Sequence, residues 1–165
     1  IMAALYESEF PLVGSPLGAI EAVELTNPVS SGVNVFILRV GASAQCGFAL
    51  WVIRRYSAQP THGTGGDAPS AATIWKRKTS DSASATEVWV QTTASSIVPN
   101  AATKNYEHTE SLDPGDAGDD AEIMLAKYAE DIDTLVIAPG ESMTLQAPQA
   151  DLTFTVNITW EEAAV

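Results

Sequence analysis

Cysteine is nearly absent from this chain. Cys46 is the single one among 165 residues, so no disulfide can close within it. A small secreted scaffold stapled by disulfides is therefore excluded, and Cys46 reads as a small core hydrophobe. Histidine is almost as scarce, with His62 and His108 both in expected loops. Neither belongs to a His-Glu-x-x-His spacing, and there is no nucleophile elbow. The usual local signatures of a catalytic or zinc site are missing, and the expectation is a protein that is not an enzyme and holds no cofactor. Cations are few: Lys and Arg number 8 against 21 Asp and Glu, for a net charge of −13. Such a surface repels phosphate backbones and anionic lipid, so nucleic acid and membranes are not expected partners. No apolar run approaches the roughly 18 residues of a membrane span. The longest, from Gly47 to Ile53, has strand length, and no basic-then-apolar leader opens the chain.

What is present points to a folded domain. Hydrophobic residues make up 45% and charged residues 18%, the balance of a globule rather than a disordered chain. Strand patterns dominate. Ala19 to Thr26 ends in the turn signal Asn27-Pro28, with Glu21, Val23 and Leu25 read onto one face. Val33 to Val40 is apolar on both faces, as a central strand or one covered by an oligomer partner would be. Gly41 to Ala44 then reads as a connection, and Gly47 to Tyr56 as a third strand. Residues 57–71 form a polar loop, and Gly63-Thr64-Gly65-Gly66-Asp67 lacks the Gly-Lys-Ser/Thr ending of a phosphate cradle.

Short strands follow at Ala72 to Lys78 and Glu87 to Thr93. Residues 94–121 read as a long excursion, and Ala121 to Glu130 as a strand in preference to a short helix. Asp133 to Ala138 and Ser142 to Gln146 flank a Pro139-Gly140 turn. Leu152 to Trp160 alternates best, with Leu152, Phe154, Val156, Ile158 and Trp160 on one face. About eight short strands without a secure helix predict an all-β, jelly-roll-like two-sheet sandwich over residues 19–165. Residues 1–18 read as an extended N-terminal arm. Its apolar side chains Leu5, Tyr6, Phe10, Leu12, Val13 and Leu17 would dock on a partner.

Three clusters are candidates for chemistry. Asp113, Asp116, Asp119, Asp120 and Glu122, with Gly115 and Gly118 between, could offer hard oxygen ligands to calcium, although the spacing is not that of an EF-hand. The plainer reading is a solvated acidic loop. Trp51, Trp75, Trp89 and Trp160 lie in apolar strand patterns, which favours packing over an aromatic platform for sugars. Arg54-Arg55 and Lys76-Arg77-Lys78 read as charged strand edges, or as a salt-bridging contact to a neighbouring copy. Asn157-Ile158-Thr159 matches a glycosylation sequon, but it falls within a strand pattern.

Leu25-Thr26-Asn27-Pro28, then Ser30 through Val40, together with Leu135-Val136-Ile137-Ala138-Pro139-Gly140-Glu141 and Val156-Asn157-Ile158-Thr159-Trp160-Glu161-Glu162, resemble small virion proteins of tailed bacteriophages. In those proteins a jelly roll or β-sandwich decorates the capsid or serves in a head or tail fibre. The resemblance covers about a quarter of the chain, and the acidic stretch 107–122 has no counterpart in it. It implies a capsid decoration (cement) protein that binds the major capsid protein, forms a homo-oligomer, most simply a trimer, and is made in the host cytoplasm before joining the capsid surface. A carbohydrate-binding or host-adhesion sandwich is the alternative.

Overall fold

The computed structural model describes residues 4–13, 20–45, 49–62, 74–90, 97–98, 100–112, 120–127, 135–147 and 153–165. In chain order the strands are β1 (Ala4–Val13), β2 (Ile20–Thr26), β3 (Val33–Gln45), β4 (Ala49–Tyr56), β5 (Thr61–His62) and β6 (Ile74–Lys76). Then come β7 (Glu87–Val90), β8 (Ile97–Val98), β9 (Lys104–Leu112), β10 (Asp120–Lys127), β11 (Val136–Ile137), β12 (Ser142–Ala147) and β13 (Thr153–Ala164). There is no α-helix among the described residues. One sheet runs β10-β3-β13-β1-β6, with β11 also paired to β3; the other runs β7-β2-β12-β4-β9.

The pairing has a single logic. β1 pairs with β13, β2 with β12, β3 with β10 and β4 with β9, each antiparallel. First meets last, second meets next-to-last, and so on inward. This is one long hairpin rolled over on itself, the double Greek key of a jelly roll. The connection from β4 to β9 carries β5 to β8. It adds β6 to the edge of one sheet beside β1 and β7 to the edge of the other beside β2.

The core fills the space between the sheets. β13 sends Val156, Ile158 and Trp160 inward, all fully buried. Met143, Leu145, Val23, Leu25 and Ile53 meet them from the other sheet. Full burial of each such side chain stabilises by about 1.5–3 kcal/mol. Trp160 stacks on Tyr6 of β1, its cross-strand partner, with ring centroids 6.0 Å apart. Two bulges shift the alternation. The β13–β3 register skips Leu38, so Val35 and Ile37 point inward before it and Val40 after it. The β12–β2 register skips Ala22, which turns Glu21 onto the face of Glu24, away from Val23 and Leu25.

Several expectations change. Residues 4–13, read as part of an extended arm that docks on a partner, form an interior strand between β13 and β6. Tyr6 is buried in the core, and Leu5 is half-buried. Phe10, Leu12 and Val13 pair with Val156, Phe154 and Thr153, while Leu17 lies outside the described residues. The misleading signal was Pro11. It is accommodated because β6 pairs only Tyr6 to Ser8 of β1, so Pro11 has no described ladder on its far side. Gly41 to Ala44 belong to β3 rather than to a connection. The 94–121 excursion contains a full strand, β9, whose edge position lets polar residues stand on both faces.

One residue ties the 28–31 and 138–141 turns together. Asn27, buried at the end of β2, donates from Nδ2 to the carbonyls of Val33 (2.8 Å) and Ile137 (2.9 Å). Its own carbonyl accepts from Gly140 N at 2.7 Å, and its N–H donates to Glu141 O at 3.0 Å. Residues 138–141 form the type II turn that Pro139-Gly140 requires, closed by Glu141 N to Ala138 O, with Gly140 at φ 90. Asn27→Ala should lower unfolding free energy by roughly 2–3 kcal/mol, because two carbonyls lose a buried donor. Urea denaturation measures this, and a loss below about 0.5 kcal/mol would contradict the role given to Asn27.

Candidate functional site

The outer face of the β7-β2-β12-β4-β9 sheet carries the densest polar cluster among the described residues. β2 supplies Glu21, Glu24 and Thr26; β12 supplies Ser142, Thr144 and Gln146; β4 supplies Arg54 and Tyr56; β9 supplies Glu107. Cross-strand pairing aligns Glu24, Thr144, Arg54 and Glu107 in one row. An outer sheet face usually meets water, yet Glu21, Glu24, Thr26, Ser142, Thr144 and Tyr56 are all buried. Pro60 and Ile97, on the segments that carry β5 and β8, are buried as well, and β8 packs against β2.

Arg54 organises this face. Its guanidinium donates to Glu21, to Gln146 Oε1 and to Glu107 Oε2, the last at 2.7 Å. Lys104 joins Glu107 at 2.9 Å. Burial works against the Arg54 charge, but the bonds and charges of Glu107 and Glu21 outweigh it and raise its pKa. Glu107, at the exposed end, is held below the usual carboxylate range by Lys104 and then Arg54. Glu21 behaves oppositely: burial raises its pKa above 4.5, only partly offset by Thr144 and Arg54. Beside it, the Tyr56 phenol is also raised by burial and then by the Glu21 charge. Glu21 Oε2, Thr144 Oγ1 and Tyr56 Oη approach one another without completing a hydrogen bond. Deeper along the face, Ser142 donates to Glu24 at 3.1 Å, and Thr26 bonds both Glu24 and Ser142.

A third buried glutamate lies at the far end of β13. Glu162 accepts from the Ser84 hydroxyl, from Ala85 N (3.0 Å), from Thr86 N and Oγ1 (3.3 and 2.8 Å) and from Trp160 Nε1 (3.2 Å). Every donor except Trp160 comes from the connection between β6 and β7. The role is structural: Glu162 pins the segment that carries the chain from one sheet edge to the other.

The expected site residues are dispersed. Asp113, Asp116 and Asp119 lie outside the described residues; Asp120 and Glu122 sit on strand β10, opposite Gln45 and Ser43, rather than in a loop. Cys46 and residues 63–66 also lie outside them. His62 is in β5, and His108 in β9 opposite Ile53. Arg54 and Arg55 were read as an exposed edge. They stand instead on an interior strand, where Arg55 reaches Asn105 Oδ1 and the Val136 carbonyl. Asn157 of the sequon is on interior strand β13, its amide against Gly41. Lys76 to Lys78 do lie at a sheet edge. There Trp75 is 48% exposed and Arg77 bonds Glu7 at 2.8 Å. Trp160 is buried and Trp89 half-buried, so neither joins Trp75 in an exposed row. The buried polar face escaped sequence reading because the Ala22 bulge hides the shared side of Glu21 and Glu24.

A carboxyl with a raised native pKa binds its proton more tightly folded than unfolded. Its contribution is therefore full below the unfolded pKa and is lost as pH rises through the native one. The wild type should lose thermal midpoint relative to Glu21→Gln as pH climbs from about 4 toward 8. Parallel midpoint curves for the two proteins would contradict this account of Glu21.

Comparison with known proteins finds no matching family model, no matching curated protein and no matching solved structure.

Proposed function

We propose that the chain is a non-enzymatic virion structural protein, of the kind that decorates and reinforces a bacteriophage head. The observation that carries this reading is the rolled pairing of β1 with β13 through β4 with β9. Jelly rolls recur in viral shells and in lectin-like modules. Because fold alone does not dictate function, the resemblance at Leu25 to Val40 and at the Pro139-Gly140 turn supplies the choice between them. Both quoted segments lie where the structure is most closely tied, around Asn27 and its bonds to Val33, Ile137 and Glu141. Partners are the major capsid protein and further copies of this chain, at the capsid surface.

The sugar-binding alternative needs aromatic rings in a row on an open surface, and of Trp75, Trp89 and Trp160 Trp75 alone is strongly exposed. Cosedimentation separates the two. The purified protein should pellet with purified capsids of the encoding phage, at a saturating stoichiometry that matches the symmetry of the shell. Protein left in the supernatant at saturating capsid would contradict the decoration reading. Signal on a glycan array would then support the alternative.

A further inference from the structure

The β6 edge combines features found together nowhere else among the described residues. Trp75 is 48% exposed, and Lys76, Arg77 and Lys78 follow it, all exposed. Three of the chain's 8 cations therefore occupy consecutive positions beside a large open aromatic ring. Exposed tryptophan and arginine are the residue types that most often anchor protein contacts. β6 is also an edge strand, paired on one side with Tyr6 to Ser8 of β1. The edge is prepared for contact: Glu7, directly opposite Trp75, holds the Arg77 guanidinium at 2.8 Å, and Lys76 Nζ donates to the Asp81 carbonyl at 2.9 Å. Lys78 extends past these bonds as an exposed cation.

We infer that this edge is a self-association surface, on which Trp75, Arg77 and Lys78 of one copy dock against the carboxylates of a second copy. Charge complementarity selects the occupant. The patch is a local positive region on a chain with 21 acidic residues, so the surface of another copy is a field of opposite sign. Exposed Glu87 stands on β7, an edge strand of the other sheet, and offers such a carboxylate. A basic edge that meets a different, acidic surface makes a head-to-tail contact, which closes into a ring when the rotation permits. Glu7 fixes the orientation of Arg77 and lowers the ordering cost of the contact.

The contact is read in solution without any shell, so it stands or falls separately from the virion reading. Light scattering on the purified full chain should give a mass above the monomer at roughly 0.05 M salt, and a shift toward monomer near 0.5 M salt, where screening is strong. Trp75→Ala and Lys78→Glu should each weaken association by about tenfold or more. Lys78→Glu changes one exposed side chain, so its circular dichroism and thermal midpoint should match the wild type and exclude misfolding as the cause. A wild type that is monomeric at low salt overturns the inference. So does an oligomer that persists unchanged in Lys78→Glu.

Discussion

The closure of the last strand onto the first is the constraint from which the rest follows. β13 lies between β1 and β3, and its inward side chains Val156, Ile158 and Trp160 are shared by strands from both ends of the chain. Inside the β1–β13 closure, where Trp160 stacks on Tyr6, β2 pairs with β12 and β3 with β10. The pairing is non-local throughout, so it demands loop closures that short-range contacts do not repay. The dense core is what offsets that cost.

Carboxylates complete the structure at the places where apolar packing stops. Glu162 ends the buried face of β13 and gathers the connection between β6 and β7. Glu21 and Glu24 lie on the far side of the other sheet, buried on the face opposite Val23 and Leu25. These two arrangements differ physically. Glu162 has a full set of donors from backbone, hydroxyl and indole groups. Glu21 relies on Arg54 at one oxygen and leaves the other, with Thr144 and Tyr56, incompletely bonded. The first arrangement is a clamp. The second is a buried charge held at a cost, because desolvation of a buried ion pair offsets much of its Coulombic gain.

The fold class was legible in the sequence because β12 and β13 alternate cleanly and Asn27-Pro28 after β2 and Pro139-Gly140 before β12 mark turns. What stayed hidden has identifiable causes. Residues 1–18 set their apolar side chains among proline and glycine, so β1 looked like part of an arm. β9 is an edge strand and needs no apolar face. The bulges at Ala22 and Leu38 reverse the inward phase, which a strict period of two cannot anticipate. The basic run at residues 76–78 was visible from the start, whereas the placement of Arg54 beneath the polar face depends on β12 lying between β2 and β4, a long-range pairing that no local pattern encodes.

Native-state amide hydrogen exchange tests the rolled closure most directly. Amides of β1 that pair with β13 should exchange as slowly as those of β13 itself, through global unfolding alone. Fast exchange across Leu5 to Phe10 beside a protected β13 would show a docked arm instead of an interior strand, and would contradict the jelly roll described above.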